Sequence, residues 1–139
     1  ADLQLLERFF GLTVTPLTYF LGLRLDWEHD SLRISVDKCI ADLAKRFNMD
    51  NANPVQIPHS PGVDSIKHEE DLPKEKKSLC LQLVGCLIYA MTTCRPDIAW
   101  VVSRLSICMS CPHHTHSKAA RRVVAHLLST KDKGLHHQS

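Results

Sequence analysis

The strongest constraint on the fold is an apolar, periodic run from Leu81 to Ser106, interrupted once by an Arg-Pro pair. Its first half carries apolar or small residues at helical spacing, namely Val84, Gly85, Ile88, Tyr89 and Met91. This length and spacing predict a helix rather than a strand. Pro96 predicts the start of a second helix, because proline is accepted in the first turn, where no amide donor is needed. The apolar stripe of that helix is Ile98, Val101, Val102 and Leu105, and the breaker Pro112 follows it.

The sequence before this run has a period of two, which is typical of strands. The alternating apolar residues are Leu21, Leu23, Leu25 and Trp27, then Leu32, Ile34 and Val36. Because successive strand residues point to opposite faces, we expect each set to share one buried face. The two runs, separated by a polar turn, predict a β-hairpin whose first strand is residues 19–27.

Two further helices are predicted. Ser35 is a suitable N-cap for a helix with the stripe Ile40, Leu43, Ala44 and Phe47. The last helix should run from Ser117 to about Thr130, with the stripe Ala120, Val123, Val124, Leu127 and Leu128. After the first of these two helices, residues 49–78 contain four prolines and a charged run, which predict a loop before the run from Leu81.

The expected fold class is therefore α+β, with an N-terminal β-hairpin followed by a mainly helical bundle of about four helices. We divide the chain into residues 1–49 with the hairpin and the first helix, a connector at 50–78, and a helical segment at 79–139. With 139 residues, the chain is a small domain or a piece of a larger one. The apolar start has no evident cap, which favours the second interpretation.

Charge is divided unevenly along the chain. Residues 95–139 carry seven Lys or Arg against two Asp or Glu, whereas residues 1–94 carry ten against thirteen. The basic third fits either a solvated helix face or an anionic partner such as nucleic acid. No apolar run is long enough for a membrane span, and no signal-peptide pattern is present. We therefore expect an intracellular protein with mostly reduced cysteines.

One short motif offers metal ligands. Its residues are Cys108, Cys111, His113 and His116, whose types and spacing resemble a zinc knuckle. The alternative, which the position of the motif between two helices favours, is an ordinary polar loop. The terminal pair His136 and His137 is expected to be disordered. We find no phosphate loop, nucleophile elbow or paired carboxylates, so no catalytic residue is predicted.

A series of short segments runs from about residue 9 to residue 135. The main ones are Tyr19–Leu23, Lys45–Met49, Leu83–Tyr89, Arg95–Ala99 and Ser129–Leu135. In this order and at this spacing they resemble the primer-grip, thumb and connection portion of the reverse transcriptase of copia-type LTR retrotransposons. The resemblance implies a thumb-like helical bundle, with the hairpin residues Phe20, Leu21 and Gly22 acting as a primer grip.

The resemblance also implies contacts with a template–primer duplex. Leu81, Gly85 and Tyr89 share one helix face and would lie along the minor groove, while Arg95, Lys118, Arg121 and Arg122 would contact phosphates. Each has an alternative. Gly85 could allow close helix packing with Tyr89 in the core, Arg95 could pair with Asp97, and the other basic residues could form a solvated face.

The catalytic parts of such an enzyme are missing from this sequence. Neither the Tyr-x-Asp-Asp palm segment nor the RNase H acidic cluster occurs, so the fragment is expected to have no cofactor, although magnesium is implied for the full polymerase. The implied partners are an RNA/DNA template–primer duplex, an upstream palm and fingers, and a downstream RNase H. The implied location is cytoplasmic or nuclear, without a membrane.

Two other functions remain open. The chain could be a stand-alone nucleic-acid-binding or zinc-stabilised helical module, for which stoichiometric zinc would be diagnostic. It could also be an inactive structural remnant, for which undetectable binding to an RNA/DNA hybrid at low salt would be diagnostic.

Overall fold

A computed structural model describes residues 2–11, 13, 16–59 and 71–138. Within these residues the helices are α1 Asp2–Phe10, α2 Asp37–Arg46, α3 Lys74–Thr93, α4 Ala99–Ile107 and α5 His114–Ser129. The strands are β1 Tyr19–Phe20, β2 Leu23–Glu28, β3 Ser31–Ser35 and β4 Leu135–Gln138. The predicted α+β class is confirmed, with four helices after the hairpin. Part of the predicted connector, residues 60–70, lies outside the described residues.

The strands form one antiparallel sheet in the order β1-β2-β3-β4. The predicted strand over residues 19–27 is wrong, because the chain turns within it. Leu21 and Gly22 have φ of +50° and +83°, and Phe20 pairs with Leu23 across them. Two successive residues with positive φ make a tight hairpin turn that matches strand twist. The result is a short β1–β2 hairpin beside the expected β2–β3 hairpin.

The predicted buried face of the first strand is only partly correct. Leu25 is buried and Leu23 half-buried, but Leu21 and Trp27 are 75% and 66% exposed. Leu21 lies in the turn, and Trp27 lies beside the β2–β3 turn, where its indole N–H donates to the Leu17 carbonyl at 3.4 Å. The expected face thus contributes to the core only through its middle residues.

The C-terminal tail is ordered, so the expectation of disorder at His136 and His137 is wrong. Residues 135–138 pair with β3, from Ile34 opposite Leu135 to Ser31 opposite the last strand residue. Gly134 permits this approach, since a Cβ there would lie 2.5 Å from the carbonyl oxygen of Ile34. Main-chain pairing, rather than an apolar pattern, makes this edge strand.

The core lies between α2, α3, α4 and α5, with the sheet at its side. Its fully enclosed residues include Leu87, Ile98, Val102, Leu105, Val123, Val124 and Leu127. The α2 stripe is buried as predicted. No helix in the described part of the chain is long and apolar enough to span a membrane.

Helix starts differ from the predictions in four places. The start predicted at Pro96 is a 3₁₀ turn over Pro96–Ile98, and α4 begins after it at Ala99. The N-cap of α2 is Val36, while Ser35 ends β3 as a buried residue. The helix α3 begins at Lys74, inside the predicted loop, because its charged residues lie in an exposed first turn. The helix α5 begins at His114, where the backbone N–H of His113 donates to Nδ1 of His116 at 3.0 Å.

Candidate nucleic-acid interface

The β1–β2 turn is fixed against α3 by one side chain. The Tyr89 hydroxyl donates a hydrogen bond to the carbonyl oxygen of Leu21, and a Cβ on Gly22 would lie 3.7 Å from the same hydroxyl. The rest of Tyr89 is half-buried and packs against the edge of the core. Tyr89 therefore joins the β1–β2 turn to α3.

We predict that Tyr89→Phe lowers the free energy of unfolding by about 1 kcal/mol, because one hydrogen bond to the exposed residue Leu21 is lost. Urea denaturation measures the change. Tyr19→Phe is the matched control, since Tyr19 is exposed and should change stability by less than about 0.5 kcal/mol. Equal effects of the two substitutions would show that the Leu21 contact contributes nothing.

One face of α3 is open beside this turn. Leu81 is 46% exposed, and Ile88 and Gly85 are exposed on the same side. A Cβ at Gly85 would meet no atom within 4 Å, so this glycine does not permit close packing of helices within the described structure. Among the described residues Gly85 therefore packs against no other helix, whereas Tyr89 contributes to the edge of the core and to the turn contact.

A groove of about 390 Å³ separates the hairpin turn from α2 and α3. Lys38, Asp42 and Arg46 of α2 line it, spaced so that they share one helix face. Arg46 Nη2 also donates to Oε1 of Gln82 on α3 at 2.5 Å. Sequence reasoning missed Lys38 and Arg46, although their i, i+8 spacing was available.

Arg95 is enclosed by the fold, with a side chain that is 1% exposed. Its Nε and Nη2 donate to the two carboxylate oxygens of Asp97 at 2.9 and 2.8 Å. Its Nη1 and Nη2 also donate to the carbonyl and hydroxyl oxygens of Thr130, at 3.1 and 2.7 Å. This geometry favours the local pairing that the sequence left as an alternative to a phosphate contact.

His126 also belongs to this network. Its Nε2 lies 3.1 Å from Oδ2 of Asp97, and its Nδ1 lies 3.0 Å from the carbonyl oxygen of Val55. Both neighbours are acceptors, so both hydrogen bonds form together only when both ring nitrogens carry a proton. The network links the connector to the α3–α4 corner and to the end of α5.

The network predicts a stability change in acid. The hydrogen bonds from Arg95 lower the pKa of Asp97 from 3.8 to about 2. Because the folded-state pKa is the lower one, Asp97 stabilises the fold above pH 3.8, and this contribution is lost as the pH falls towards 2. We expect the stability difference between the protein and an Asp97→Ala variant, measured by urea denaturation, to shrink between pH 4 and pH 2. A constant difference over that range would contradict the assignment.

The basic residues of α5 lie apart from the open face of α3. Lys118 and Arg121 line a second groove of about 300 Å³ together with Leu79 and Leu83 of α3. Because a helix turns 100° per residue, these two leucines lie on the side of α3 opposite Leu81 and Gly85. Arg121 also donates to the carbonyl of Phe47 at 2.7 Å. Arg122 donates to that of Ile57 at 3.2 Å. The structure thus does not bring the α5 residues and the α3 face onto one surface.

The four predicted zinc ligands are divided. Cys111 and His113 lie together with Asp71, which sequence reasoning did not select. Cys108 is half-buried in a 3₁₀ turn after α4, and His116 is buried with its Nδ1 bound to the His113 backbone. Asp71 was missed because it is distant in sequence from the other two residues.

Three curated relatives are similar to most of this chain. It is 34% identical over 135 residues, 95% of its length, to the retrovirus-related Pol polyprotein from transposon RE1 of Arabidopsis thaliana. The corresponding protein from transposon RE2 of the same plant is 33% identical over 132 residues, 93% of the chain. That from transposon TNT 1-94 of Nicotiana tabacum is 32% identical over 122 residues, 83% of the chain.

The chain spans 9% of the length of each of these relatives. No family model matches it. No solved structure matches it either.

Proposed function

We propose that this chain, which is a segment of a retrovirus-related Pol polyprotein of a transposon, is the primer-grip and thumb part of a copia-type reverse transcriptase and binds the template–primer duplex. The turn at Leu21 and Gly22 holds the primer end, and the open face of α3 lies along the minor groove. Magnesium-dependent nucleotide addition belongs to a palm outside this sequence, and the chain contributes no catalytic residue. Its other partners are the fingers and RNase H of the same polyprotein.

The observation that carries this proposal is the open position of Gly85. Glycine in a helix interior costs about 1 kcal/mol relative to alanine, and no neighbour within 4 Å would obstruct a Cβ here. The glycine therefore weakens the helix without serving the packing of the described fold. A residue without a side chain on an exposed face supports close approach by the backbone of another molecule.

The surroundings of Gly85 fit a duplex that contains RNA. The minor groove of such a duplex is wide and shallow and presents 2′-hydroxyls, which suits a smooth surface of Leu81, Gly85 and Ile88. Lys38 and Arg46 beside the turn offer cations for the adjacent phosphates. Asp42 between them reduces their field, so we expect modest, salt-dependent affinity.

The test is binding of the whole chain to a fluorescent RNA/DNA hybrid, followed by anisotropy at low salt. Gly85→Gln should raise the melting temperature, because glutamine is the better helix former. It should nevertheless weaken binding at least about tenfold, because the new side chain keeps α3 away from the minor groove of the hybrid. Leu79→Gln is the matched control on the opposite face of α3 and should leave binding unchanged.

A second pair of variants distinguishes the two basic surfaces. The double substitution Lys38→Gln with Arg46→Gln should reduce the slope of log K against log salt by about two, as expected for two lost phosphate contacts. Lys118→Gln with Arg122→Gln should change it little. The reverse pattern would move the binding surface to α5, and undetectable binding of the unmodified chain would indicate an inactive remnant.

A further inference from the structure

Three side chains of metal-binding type meet where the segment before α3 crosses the segment before α5. They are Asp71, Cys111 and His113, whose ligand atoms all lie within 4.8 Å of one another. Asp71 and His113 form an antiparallel bridge between the segments. Leu72 and Pro112, their neighbours in sequence, are buried. The cluster is therefore anchored to the core from both sides.

The distances suit a small cation. Oδ1 of Asp71 lies 3.3 Å from Sγ of Cys111 and 3.6 Å from Nδ1 of His113. A tetrahedral zinc ion with bonds of about 2.0 to 2.3 Å places its ligand atoms about 3.3 to 3.8 Å apart. In addition, Nδ1 of His113 is buried. The His113 side chain faces the backbone N–H of His116 at the start of α5, but Nδ1 forms no hydrogen bond of good geometry with any described residue. A buried nitrogen without a partner is unfavourable unless a further group satisfies it.

We propose that Asp71, Cys111 and His113 bind a zinc ion, with water in the fourth position. A thiolate, an imidazole and one carboxylate favour zinc over magnesium or calcium, which prefer oxygen ligands alone. The ion fastens the start of α3 to the start of α5. Of the four zinc ligands predicted from sequence spacing, this site includes only Cys111 and His113. Zinc binding here does not depend on nucleic-acid binding.

Two neighbouring interactions bear on the affinity. Lys77 Nζ lies 3.5 Å from Oδ2 of Asp71, so its positive charge repels a metal ion but does not occupy Oδ1. The hydrogen bond from Cys111 to Asp71 raises the pKa of the Cys111 thiol. Zinc must therefore displace the thiol proton, because the thiolate is the ligand.

The test is a titration of the whole chain with zinc chloride in competition with a chromophoric chelator. We expect one zinc per chain and a rise in melting temperature when zinc is added. Cobalt(II) in place of zinc should give a thiolate charge-transfer band. Cys111→Ser and Asp71→Asn should each weaken zinc binding at least about tenfold, since even outer-shell substitutions cost that much. Both residues are exposed, and circular dichroism checks that the variants fold.

The controls are residues of the same types outside the cluster. Cys108→Ser, His114→Ala and the double variant His136→Ala with His137→Ala should bind zinc as the unmodified chain does. Unchanged binding in Cys111→Ser or Asp71→Asn overturns the proposal, as does an equal loss in Cys108→Ser. Less than one zinc per chain in the unmodified protein overturns it too.

Discussion

Replacing Leu87 by alanine is expected to lower the free energy of unfolding by about 3 kcal/mol, within the range for buried leucines. Leu87 is 0% exposed and lies in the face of α3 that packs on the other helices. The loss combines the transfer free energy of the removed atoms with the cavity they leave. Urea denaturation at neutral pH measures it.

The matched control is Leu81→Ala, the same substitution six positions earlier in the same helix. Leu81 is exposed on the open face, so its loss should cost less than about 1 kcal/mol. In the hybrid-binding assay we expect the larger effect from the other substitution. Leu81→Ala should weaken binding, whereas the folded fraction of Leu87→Ala should retain it. Equal stability effects would contradict the assignment of the two faces.

Asp97→Ala is expected to cost about 3 kcal/mol, because removing one partner of a buried ion pair leaves an uncompensated charge. Arg95 would keep its bonds to Thr130 but lose both bonds to the carboxylate. Water can partly replace the carboxylate, which is 39% exposed, so we place the cost at the lower end of the usual range. A thermal melt should shift by about 10 °C.

Asp50→Ala is the control for this substitution, since Asp50 is exposed in the turn after α2. It should change stability by less than about 0.5 kcal/mol. If Asp97→Ala were as mild as Asp50→Ala, the Arg95 side chain would have to reach solvent, and the phosphate contact implied by the resemblance would become available again.

The sequence predicted the helices well because their stripes are long and periodic. The buried faces of α2, α4 and α5 follow the spacing of residues such as Ile40, Val102 and Val123. The resemblance to transposon Pol polyproteins is also confirmed by the curated relatives. Both inferences rest on many residues, so single departures do not alter them.

Features that depend on a few distant residues were missed. Nothing in the type of Leu21 signals its positive φ, because turns of this kind normally use glycine or asparagine. The burial of Arg95 depends on Thr130, which lies 35 positions away. The Asp71 cluster likewise joins residues about 40 positions apart. Local patterns carry no information about such pairs.

The pairing of β4 with β3 has a consequence for biosynthesis. Ile34 and Leu135 are partners although they lie 101 positions apart, so the outer edge of β3 stays unpaired until nearly the whole segment has left the ribosome. Non-local pairing of this kind is slow, and an unpaired strand edge is a site of intermolecular association. A nascent chain that stalls before residue 135 should therefore aggregate through that edge, whereas a chain that includes β4 covers it.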